Sequence, residues 1–182
     1  MKIELERIQT ADHKYIPDLF NLYLEAFPRE ERRELNVLVA MLDLNEMYFA
    51  AVTHGSVPVG LVIYWIFDGF LYVEHLAVRH DQRGKGIGSS ILKMLRKKGD
   101  PVMLEVEKPH DEASSKRVEF YNRSGFNQLP VEYFQPRYRE GESLLPMMLF
   151  SDCPEWEPEE LGRSIELFQY QVYYSRLKKE KG

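Results

Sequence analysis

The spacing of apolar and polar residues divides the 182-residue chain into short strands and amphipathic helices. Alternating apolar and polar positions predict strands, and apolar positions recurring every three or four residues predict helices. The expected strands are 2–8, 47–54, 57–67, 70–78, 102–107, 126–134 and 144–150. The expected helices are 12–26, capped by Asp12, and 35–43, 87–98, 113–123 and 159–179.

The order of these elements indicates the fold class. Antiparallel hairpins dominate the first half, and a βαβαβ order follows in the second. This order predicts a mixed α/β chain whose twisted, mostly antiparallel central sheet is flanked by helices on both faces. We expect one domain over 1–152 and a C-terminal amphipathic helix within 153–182. The apolar stripe of that helix packs either on its own domain or on a second subunit, and its members are Leu161, Ile165, Phe168 and Val172.

Three glycines at alternate positions, Gly84, Gly86 and Gly88, separate the strand at 70–78 from the following helix. Backbone amides exposed at the start of a helix, with no side chains in the way, form a site for a phosphate or pyrophosphate. Arg83 and Lys85 add positive charge there. The dinucleotide fingerprint and the P-loop both need other glycine spacings. An ordinary glycine-rich turn is the alternative.

The R-x-x-G-x-G run at 83–88, placed after the strand that ends in Leu-Ala-Val, resembles the pyrophosphate loop of the Gcn5-related N-acetyltransferase (GNAT) family. The segment 118–126 resembles the second signature of that family, a helix that ends near Tyr121 before Gly125 and Phe126 begin a strand. One helix and one strand separate the two signatures, as the family requires. The stretch that contains both, residues 74–126, covers about a third of the chain. The order and separation of the two signatures predict the GNAT acyl-CoA N-acyltransferase fold.

The resemblance implies acetyl transfer from acetyl-CoA to an amine. It implies that Tyr121 protonates the departing thiolate, as general acid. It also implies backbone contacts to the cofactor, with the pantetheine arm on Leu76, Ala77 and Val78 and the pyrophosphate on Arg83, Gly84, Lys85, Gly86, Ile87, Gly88 and Ser89. The family often carries Asn where Ser114 stands here, which leaves the cofactor contacts of that helix open.

Glu74 is the first candidate for the base that removes the amine proton. It interrupts an apolar strand in a segment similar to the polyamine acetyltransferase branch of the family, where an acidic residue handles the substrate amine. Alternation places it on the face of Leu76 and Val78, and it places the rival His75 on the opposite face. Glu105, on the following strand, is the third candidate. A strand glutamate that merely pairs with an arginine is the alternative for Glu74.

Composition narrows the function classes. A net charge of −5 argues against binding to nucleic acid. The single cysteine, Cys153, excludes an internal disulfide and fits a reducing compartment, and it is a weak candidate for an acetyl carrier. No cluster has the spacing of metal ligands, and no apolar segment spans a bilayer. We therefore expect a cytoplasmic protein with no metal site and no membrane partner.

These observations predict an acyltransferase that uses acetyl-CoA and acetylates a small primary amine by direct transfer in a ternary complex. Residues 27–43 should form much of the acceptor wall. Their arginines, Arg29, Arg32 and Arg33, either recognise a substrate anion or form a solvated charge run. The alternative functions are a non-catalytic acyl-CoA-binding regulatory module and a protein N-acetyltransferase. The sequence does not decide whether the protein forms a homodimer.

Overall fold

The computed structural model describes residues 2–153 and 155–177. The chain forms two compact units, Met1–Asp100 and Pro101–Gly182. The first unit contains β1 (Glu4–Ile8), α1 (Ile16–Ala26), α2 (Leu35–Val39), β2 (Met47–His54), β3 (Val57–Phe67), β4 (Phe70–Val78) and α3 (Ile87–Arg96), with short 3₁₀ turns at Arg29–Glu31 and His80–Gln82. The second contains β5 (Val102–Glu107), α4 (Glu112–Arg123), β6 (Asn127–Gln128), β7 (Tyr133–Gln135), β8 (Leu145–Ser151), α5 (Pro158–Phe168), a π-helix (Gln169–Tyr174) and α6 (Ser175–Leu177).

In the first unit, β1, β2, β3 and β4 form an antiparallel meander in chain order. The two central strands are buried on both faces over most of their length, which is why they read as nearly continuous apolar runs. Near the end of β4 the backbones of β3 and β4 approach closely at Gly60. A Cβ atom at Gly60 would lie 2.6 Å from the Ala77 carbonyl oxygen, so a glycine is required there.

A β-bulge interrupts β4 at Glu74. Ile63 pairs with His75 and Tyr64 pairs with Val73, so Glu74 is an extra residue with no partner on β3. An extra residue breaks the two-residue alternation of side chains along a strand. The prediction that Glu74 and His75 lie on opposite faces is therefore wrong: the Glu74 Oε1 and His75 Nδ1 atoms are 3.8 Å apart.

In the second unit, β8 is the strand around which the others assemble. β5, β6 and β7 each pair with it in antiparallel register. The single strand expected at 126–134 is divided into β6 and β7. Pro130 lies in the break and lacks an N–H, while the N–H of Leu129 still donates to the Leu149 carbonyl at 2.8 Å.

Several helix bounds differ from the expected ones. Asp12 does not cap α1, because the helix begins at Ile16 with Tyr15 at its N-cap and no side-chain cap. Pro17 accounts for this start, since proline is compatible only with the first turn of a helix. α2 is also shorter than expected and ends at Val39.

The C-terminal helical segment packs against strands of its own unit. Leu161, Phe168 and Val172 are buried, and the Phe168 ring lies 6.1 Å from the ring of Tyr133 in β7. Leu167, Tyr170 and Tyr174 are exposed. The helix expected at 159–179 continues as a π-helix after Phe168, and its residues 178–179 lie outside the described part of the chain. None of the helices in the described ranges has the length and apolar character needed to cross a bilayer.

Candidate active site

Gly84 and Gly86 form the loop that opens α3. Their φ angles are +76° and +77°, a conformation that strongly favours glycine. A Cβ atom added at either residue would meet nothing within 4 Å, so the space above the loop is open. Gly86 is the N-cap residue of α3, and its carbonyl accepts the first helical hydrogen bond, from the Ser90 N–H at 3.0 Å. The amides of Ile87 and Gly88 lie in the first turn, where a helix leaves its N–H donors without intrahelical partners.

The two basic side chains of the loop are fixed by the turn that precedes it. The Lys85 ammonium donates to the Asp81 carbonyl and to the Gln82 side chain, both at 3.0 Å. Arg83 Nε donates to the Val78 carbonyl at 3.1 Å. The segment that leads into α3 therefore carries two positive charges held by residues 78–82. An anion at the helix start gains from the helix dipole and from positive charge nearby.

The strand end expected to receive the pantetheine arm is Leu76, Ala77 and Val78. Ala77 is buried, whereas Leu76 and Val78 are partly exposed. All three pair with β3, opposite Val62, Leu61 and Gly60 respectively. Because Arg83 already occupies the Val78 carbonyl, a pantetheine contact to that oxygen must share it.

Tyr121 lies in the last turn of α4, packed against Phe120, Phe126 and Phe150. Burial raises the pKa of its phenol to about 12, and Arg117 opposes that change only in part. The phenol therefore carries its proton throughout the physiological pH range. No residue in the described part of the chain makes a hydrogen bond to its hydroxyl, which disfavours a purely structural tyrosine capped by a carbonyl.

Ser114 stands where the family often has Asn, and the structure explains its role. It forms a capping box with Asp111 at the start of α4, and its backbone N–H donates to Asp111 Oδ1 at 2.7 Å. Its hydroxyl also accepts from the backbone N–H groups of His110 and Asp111, each at 3.0 Å. Ser114 is thus committed to starting the helix that ends near Tyr121.

Glu74 lies in a buried ion pair. Its side chain is 1% exposed, and that of its partner Arg33 is 4% exposed. Arg33 Nε and one terminal nitrogen each lie 3.1 Å from Glu74 Oε1, and Trp65 Nε1 donates to Oε2 at 2.7 Å. A carboxylate held by a guanidinium and an indole N–H is stabilised in its charged form. This environment favours a fixed anion over a proton acceptor.

His75 binds a backbone carbonyl of residues 27–34, the segment that also contains Arg33. Its Nε2 atom lies 2.8 Å from the Glu31 carbonyl, which can only accept, so Nε2 carries the proton. The rings of Tyr23 and Phe27 pack edge-on against the imidazole, with centroids at 5.0 and 4.4 Å. Burial lowers the pKa of His75 below its usual 6.5, and the Glu74 carboxylate opposes this change without reversing it.

The three arginines of residues 27–34 have different environments. Arg33 is buried with Glu74, and its backbone N–H donates to the Tyr23 hydroxyl at 2.9 Å. Arg32 Nε donates to the Phe27 carbonyl at 3.1 Å, and Arg29 lies 3.8 Å from Glu34 with its side chain exposed. For Arg33, the solvated charge run was wrong, because a charge run in the sequence does not reveal which member reaches a buried carboxylate.

Glu105, the third candidate, lies at the centre of a cluster in the second unit. The Tyr133 hydroxyl donates to its Oε1, Gln135 Nε2 donates to Oε2 at 2.6 Å, and the Tyr173 hydroxyl lies 3.0 and 3.2 Å from the two oxygens. The sequence did not identify Tyr133, Gln135 or Tyr173 as functional. The alternation of Tyr133 and Gln135 along one strand was the one available signal.

The described part of the structure adds no support for an acetyl-carrying cysteine or for a bound metal ion. Cys153 is a free thiol that is partly exposed, and its Sγ lies 3.8 Å from the Glu155 carbonyl. Among the residues that the structure describes, no group of three His, Cys, Asp or Glu side chains could hold a metal ion.

Comparison with known proteins identifies the family. The sequence profile of the acetyltransferase (GNAT) family matches residues 16–126. A solved acetyltransferase candidate of the GNAT family from Bacteroides thetaiotaomicron is 34% identical, with a TM-score of 0.85, and the match covers 93% of this chain and 98% of that one. YjbC of Bacillus subtilis, named as a candidate acetyltransferase, is 29% identical over 146 residues, which are 68% of this chain and 73% of YjbC.

A more distant structure adds a ligand to the comparison. A Bacillus subtilis acetyltransferase solved in complex with CoA has a TM-score of 0.55 at 16% identity, covering 82% of this chain and 96% of that one. The chain described here belongs to the GNAT acetyltransferase family, whose members use acetyl-CoA. It has the mixed α/β fold of that family, with a mostly antiparallel sheet, and both the family prediction and the fold prediction are confirmed.

The buried ion pair gives a prediction for stability. Glu74→Gln and Arg33→Met should each lower the free energy of unfolding by about 3 kcal/mol, because each leaves a buried charge without its counter-ion. In urea unfolding, the double variant should lose less free energy of unfolding than the two single variants lose together. The difference should be at least about 1 kcal/mol. The exposed pair Lys116–Glu112 is the control and should couple several-fold less. Equal coupling in the two pairs would contradict the assignment.

His75 gives a prediction for the pH dependence of stability. Its pKa is lower in the folded protein than in the unfolded chain, so the unfolded chain binds more protons below about pH 6.5. The free energy of unfolding should therefore decline as the pH falls from 7.5 to 5.5, by up to about 1.4 kcal/mol per pH unit. His75→Gln, which keeps a donor for Glu31, should flatten this decline, as measured by urea midpoints.

The matched control for that titration is His80→Gln, at an exposed position. It should retain the slope of the unmodified protein. A His75 variant with an unchanged slope would show that another group is responsible for the acid sensitivity.

Proposed function

We propose that this protein transfers the acetyl group of acetyl-CoA directly to a primary amine within a ternary complex. In this reaction a neutral amine nitrogen attacks the thioester carbonyl, a C–N bond forms, the C–S bond breaks and the thiolate takes up a proton. The observation that carries the proposal is the open loop at Gly84 and Gly86, whose positive φ angles lead into the first amides of α3 and which contains the cations Arg83 and Lys85.

The loop has the chemistry that a pyrophosphate needs. Amides at the start of a ten-residue helix supply donors and a positive dipole, and no side chain covers Gly84 or Gly86. Family membership and the CoA bound by the Bacillus subtilis structure support the same ligand for this chain. The residues proposed to hold it are those expected from the sequence, Arg83 to Ser89, with backbone contacts from Leu76 to Val78.

Tyr121 is proposed as the general acid. Its high pKa keeps the proton on the phenol until the leaving group develops negative charge. A thiol has a pKa of roughly 8.5, so complete proton transfer to a free thiolate would be uphill by about 5 kcal/mol. Hydrogen-bond donation to the developing thiolate, completed by the proton that the amine releases, avoids this cost.

Glu74 has a different role in the proposal from the one first suggested by the sequence. Its contacts with Arg33 and Trp65 support the role of a positioning residue that holds the segment around Arg33 on β4.

The substrate amine must lose a proton before it can attack. An alkylammonium with a pKa near 10.4 is neutral in only a few molecules per ten thousand at pH 7, a deficit of about 4.6 kcal/mol. We propose that its proton leaves through water rather than directly to Glu74.

The proposal also includes a cytoplasmic location, supported by the single unpaired cysteine. The homodimer stays an open alternative. The exposed apolar residues of the C-terminal segment are the part of the described chain that a second subunit would cover, and they are Leu167, Tyr170 and Tyr174.

Gly86→Asp tests the cofactor loop. The added side chain meets no neighbour, so the structural cost is that of a non-glycine residue at a φ of +77°, a cost that a control at another glycine with positive φ shares. Its carboxylate should occupy the amides and repel the pyrophosphate, which weakens acetyl-CoA binding at least a hundredfold by calorimetry. Gly55→Asp is the control, since Gly55 also has a positive φ of +62° and open space around it. Equal affinities in the two variants would remove the loop assignment.

Tyr121→Phe tests the acid role. The turnover number should fall by roughly one to three orders of magnitude, while the affinity for acetyl-CoA stays nearly unchanged. Turnover is measured by release of the CoA thiol with a panel of primary amines. Tyr15→Phe is the control: it removes a buried hydroxyl that donates to the Ser56 carbonyl at 3.0 Å, so it should cost stability without slowing turnover.

The same experiments separate the alternative functions. A non-catalytic acyl-CoA-binding module would bind acetyl-CoA in the calorimeter and release no thiol with any amine or protein. A protein N-acetyltransferase would release thiol with protein N-termini or lysines and not with small amines. Unchanged turnover in Tyr121→Phe would exclude that residue as the acid.

A further inference from the structure

An ion pair joins the middle of α4 to the end of β5. Arg117 Nη1 lies 2.8 Å from Glu107 Oε2, and the two side chains are 48% and 29% exposed. The other oxygen of this carboxylate, Oε1, lies 3.4 Å from His110 Nδ1. An ion pair with this much exposure contributes little to stability. The pair therefore does more to place the guanidinium than to stabilise the fold.

Arg117 and Tyr121 share one face of α4. Arg117 precedes the tyrosine by four residues, the spacing at which two side chains are neighbours on the surface of a helix. Arg123 follows the tyrosine by two residues, and side chains at that spacing do not face each other. Arg123 instead pairs with Glu119 within the helix, at 3.1 Å. Of these two arginines, Arg117 is the one that accompanies the phenol.

The Tyr121 phenol is buried and holds its proton tightly. Burial raises its pKa to about 12, and the positive charge of Arg117 acts against that increase. A hydrogen bond from a phenol to a developing thiolate becomes stronger when a nearby cation favours the release of the phenolic proton. The charge of Arg117 therefore acts in the direction that a general acid at Tyr121 requires.

We propose that Arg117 is a positioning residue for the departure of the thiolate: held by Glu107, its guanidinium strengthens the hydrogen bond that Tyr121 donates to the sulfur. This inference rests on the proposed function, in which the C–S bond breaks and the thiolate takes up the proton that the amine releases. Arg117 neither gains nor loses a proton in this step, since a guanidinium stays charged in proteins.

Arg117→Gln tests the role in turnover. With saturating acetyl-CoA and the fastest amine of the panel, kcat should fall at least about threefold, while KM for acetyl-CoA changes less than about twofold. Arg117→Lys keeps the charge and should retain at least about half of the unmodified kcat. A pair that only attaches α4 to β5 would lower the melting temperature in Arg117→Gln and leave kcat unchanged, and that result would overturn the inference.

Arg123→Gln is the matched control. It removes the same charge from the same helix, closer to Tyr121 in sequence but from another side of the helix. Its kcat should equal that of the unmodified protein. Equal losses of kcat in Arg117→Gln and Arg123→Gln would overturn the inference, because they would show an effect of net charge rather than of position. A kcat in Arg117→Lys as low as that in Arg117→Gln would also overturn it.

A double variant tests whether Arg117 acts through Tyr121. Arg117→Gln introduced into Tyr121→Phe should lower kcat by less than about 1.5-fold, because the phenol through which the charge acts is no longer present. The full threefold loss in the Tyr121→Phe background would show that the two residues act independently, and it would overturn the inference.

The thiol of bound CoA gives a readout that does not require turnover. Its ionisation is followed by the ultraviolet absorbance of the thiolate, with desulfo-CoA as the blank. A weaker hydrogen bond to the thiolate should raise the pKa of this thiol in Arg117→Gln, by about half a pH unit. Glu107 and His110, the titratable groups described here beside Arg117, are both present in the Arg123→Gln control. An unchanged thiol pKa in Arg117→Gln would overturn the inference.

These measurements separate the inference from the proposed function. A normal turnover that falls in Tyr121→Phe and stays unchanged in Arg117→Gln would retain the transferase and reject the role of Arg117. A raised thiol pKa in Arg117→Gln, with no thiol released from acetyl-CoA by any acceptor, would support the effect of Arg117 on the bound sulfur and reject the transferase. Absence of CoA binding to the unmodified protein would reject both.

Discussion

One extra residue in β4 is the constraint on which the first unit depends. The bulge at Glu74 turns two consecutive polar side chains toward the same neighbouring segment. Glu74 holds Arg33 by a buried ion pair, and His75 holds the Glu31 carbonyl. A strand with regular alternation would send one of these side chains to the opposite face, and the segment would lose one of its two attachments. A buried ion pair gives little net stability, but the loss of one partner is costly, so the position of this segment depends on the polar contacts that the bulge makes possible.

The sequence predicted the regular parts of this structure well. The strands β2, β3, β4 and β5 begin and end where the apolar pattern places them, because each is a nearly continuous apolar run bounded by turn residues. The loop at 84–86 was also predictable from the sequence, since glycines at alternate positions between a strand and a helix are typical of a turn with positive φ angles. The apolar pattern gave wrong predictions where the backbone departs from regular strand or α-helix geometry. It cannot indicate the bulge at Glu74 or the π-turn after Phe168, since both depend on tertiary contacts. The break at Pro130 has a local cause, the missing N–H of proline, which an apolar period does not show.

The sequence indicated which residues are candidates for catalysis, but it did not indicate the environment of each side chain. Tyr121 and Glu74 were identified as ionisable residues near the two family signatures, and the sequence could not reveal how each is surrounded. Tyr121 lies among aromatic rings that raise the pKa of its phenol. Ser114 was noted as a departure from the family pattern, and its role in the helix cap follows only from its contacts with Asp111. Roles that depend on distant segments, such as that of Arg33, have no local sequence signal.

The comparison of Glu74 with Glu105 shows how the choice of partner determines what a carboxylate can do. Arg33 gives Glu74 a full positive charge within hydrogen-bond distance, and such a carboxylate holds structure together. Glu105 receives hydrogen bonds from the Gln135 amide and the Tyr173 hydroxyl, and these donors contribute dipoles rather than a full charge. The bonds align its two oxygens and join β5 to β7 and to the C-terminal helical segment of the same unit. Glu74 therefore attaches a segment to its strand through charge, and Glu105 joins three elements of one unit through hydrogen bonds to neutral donors.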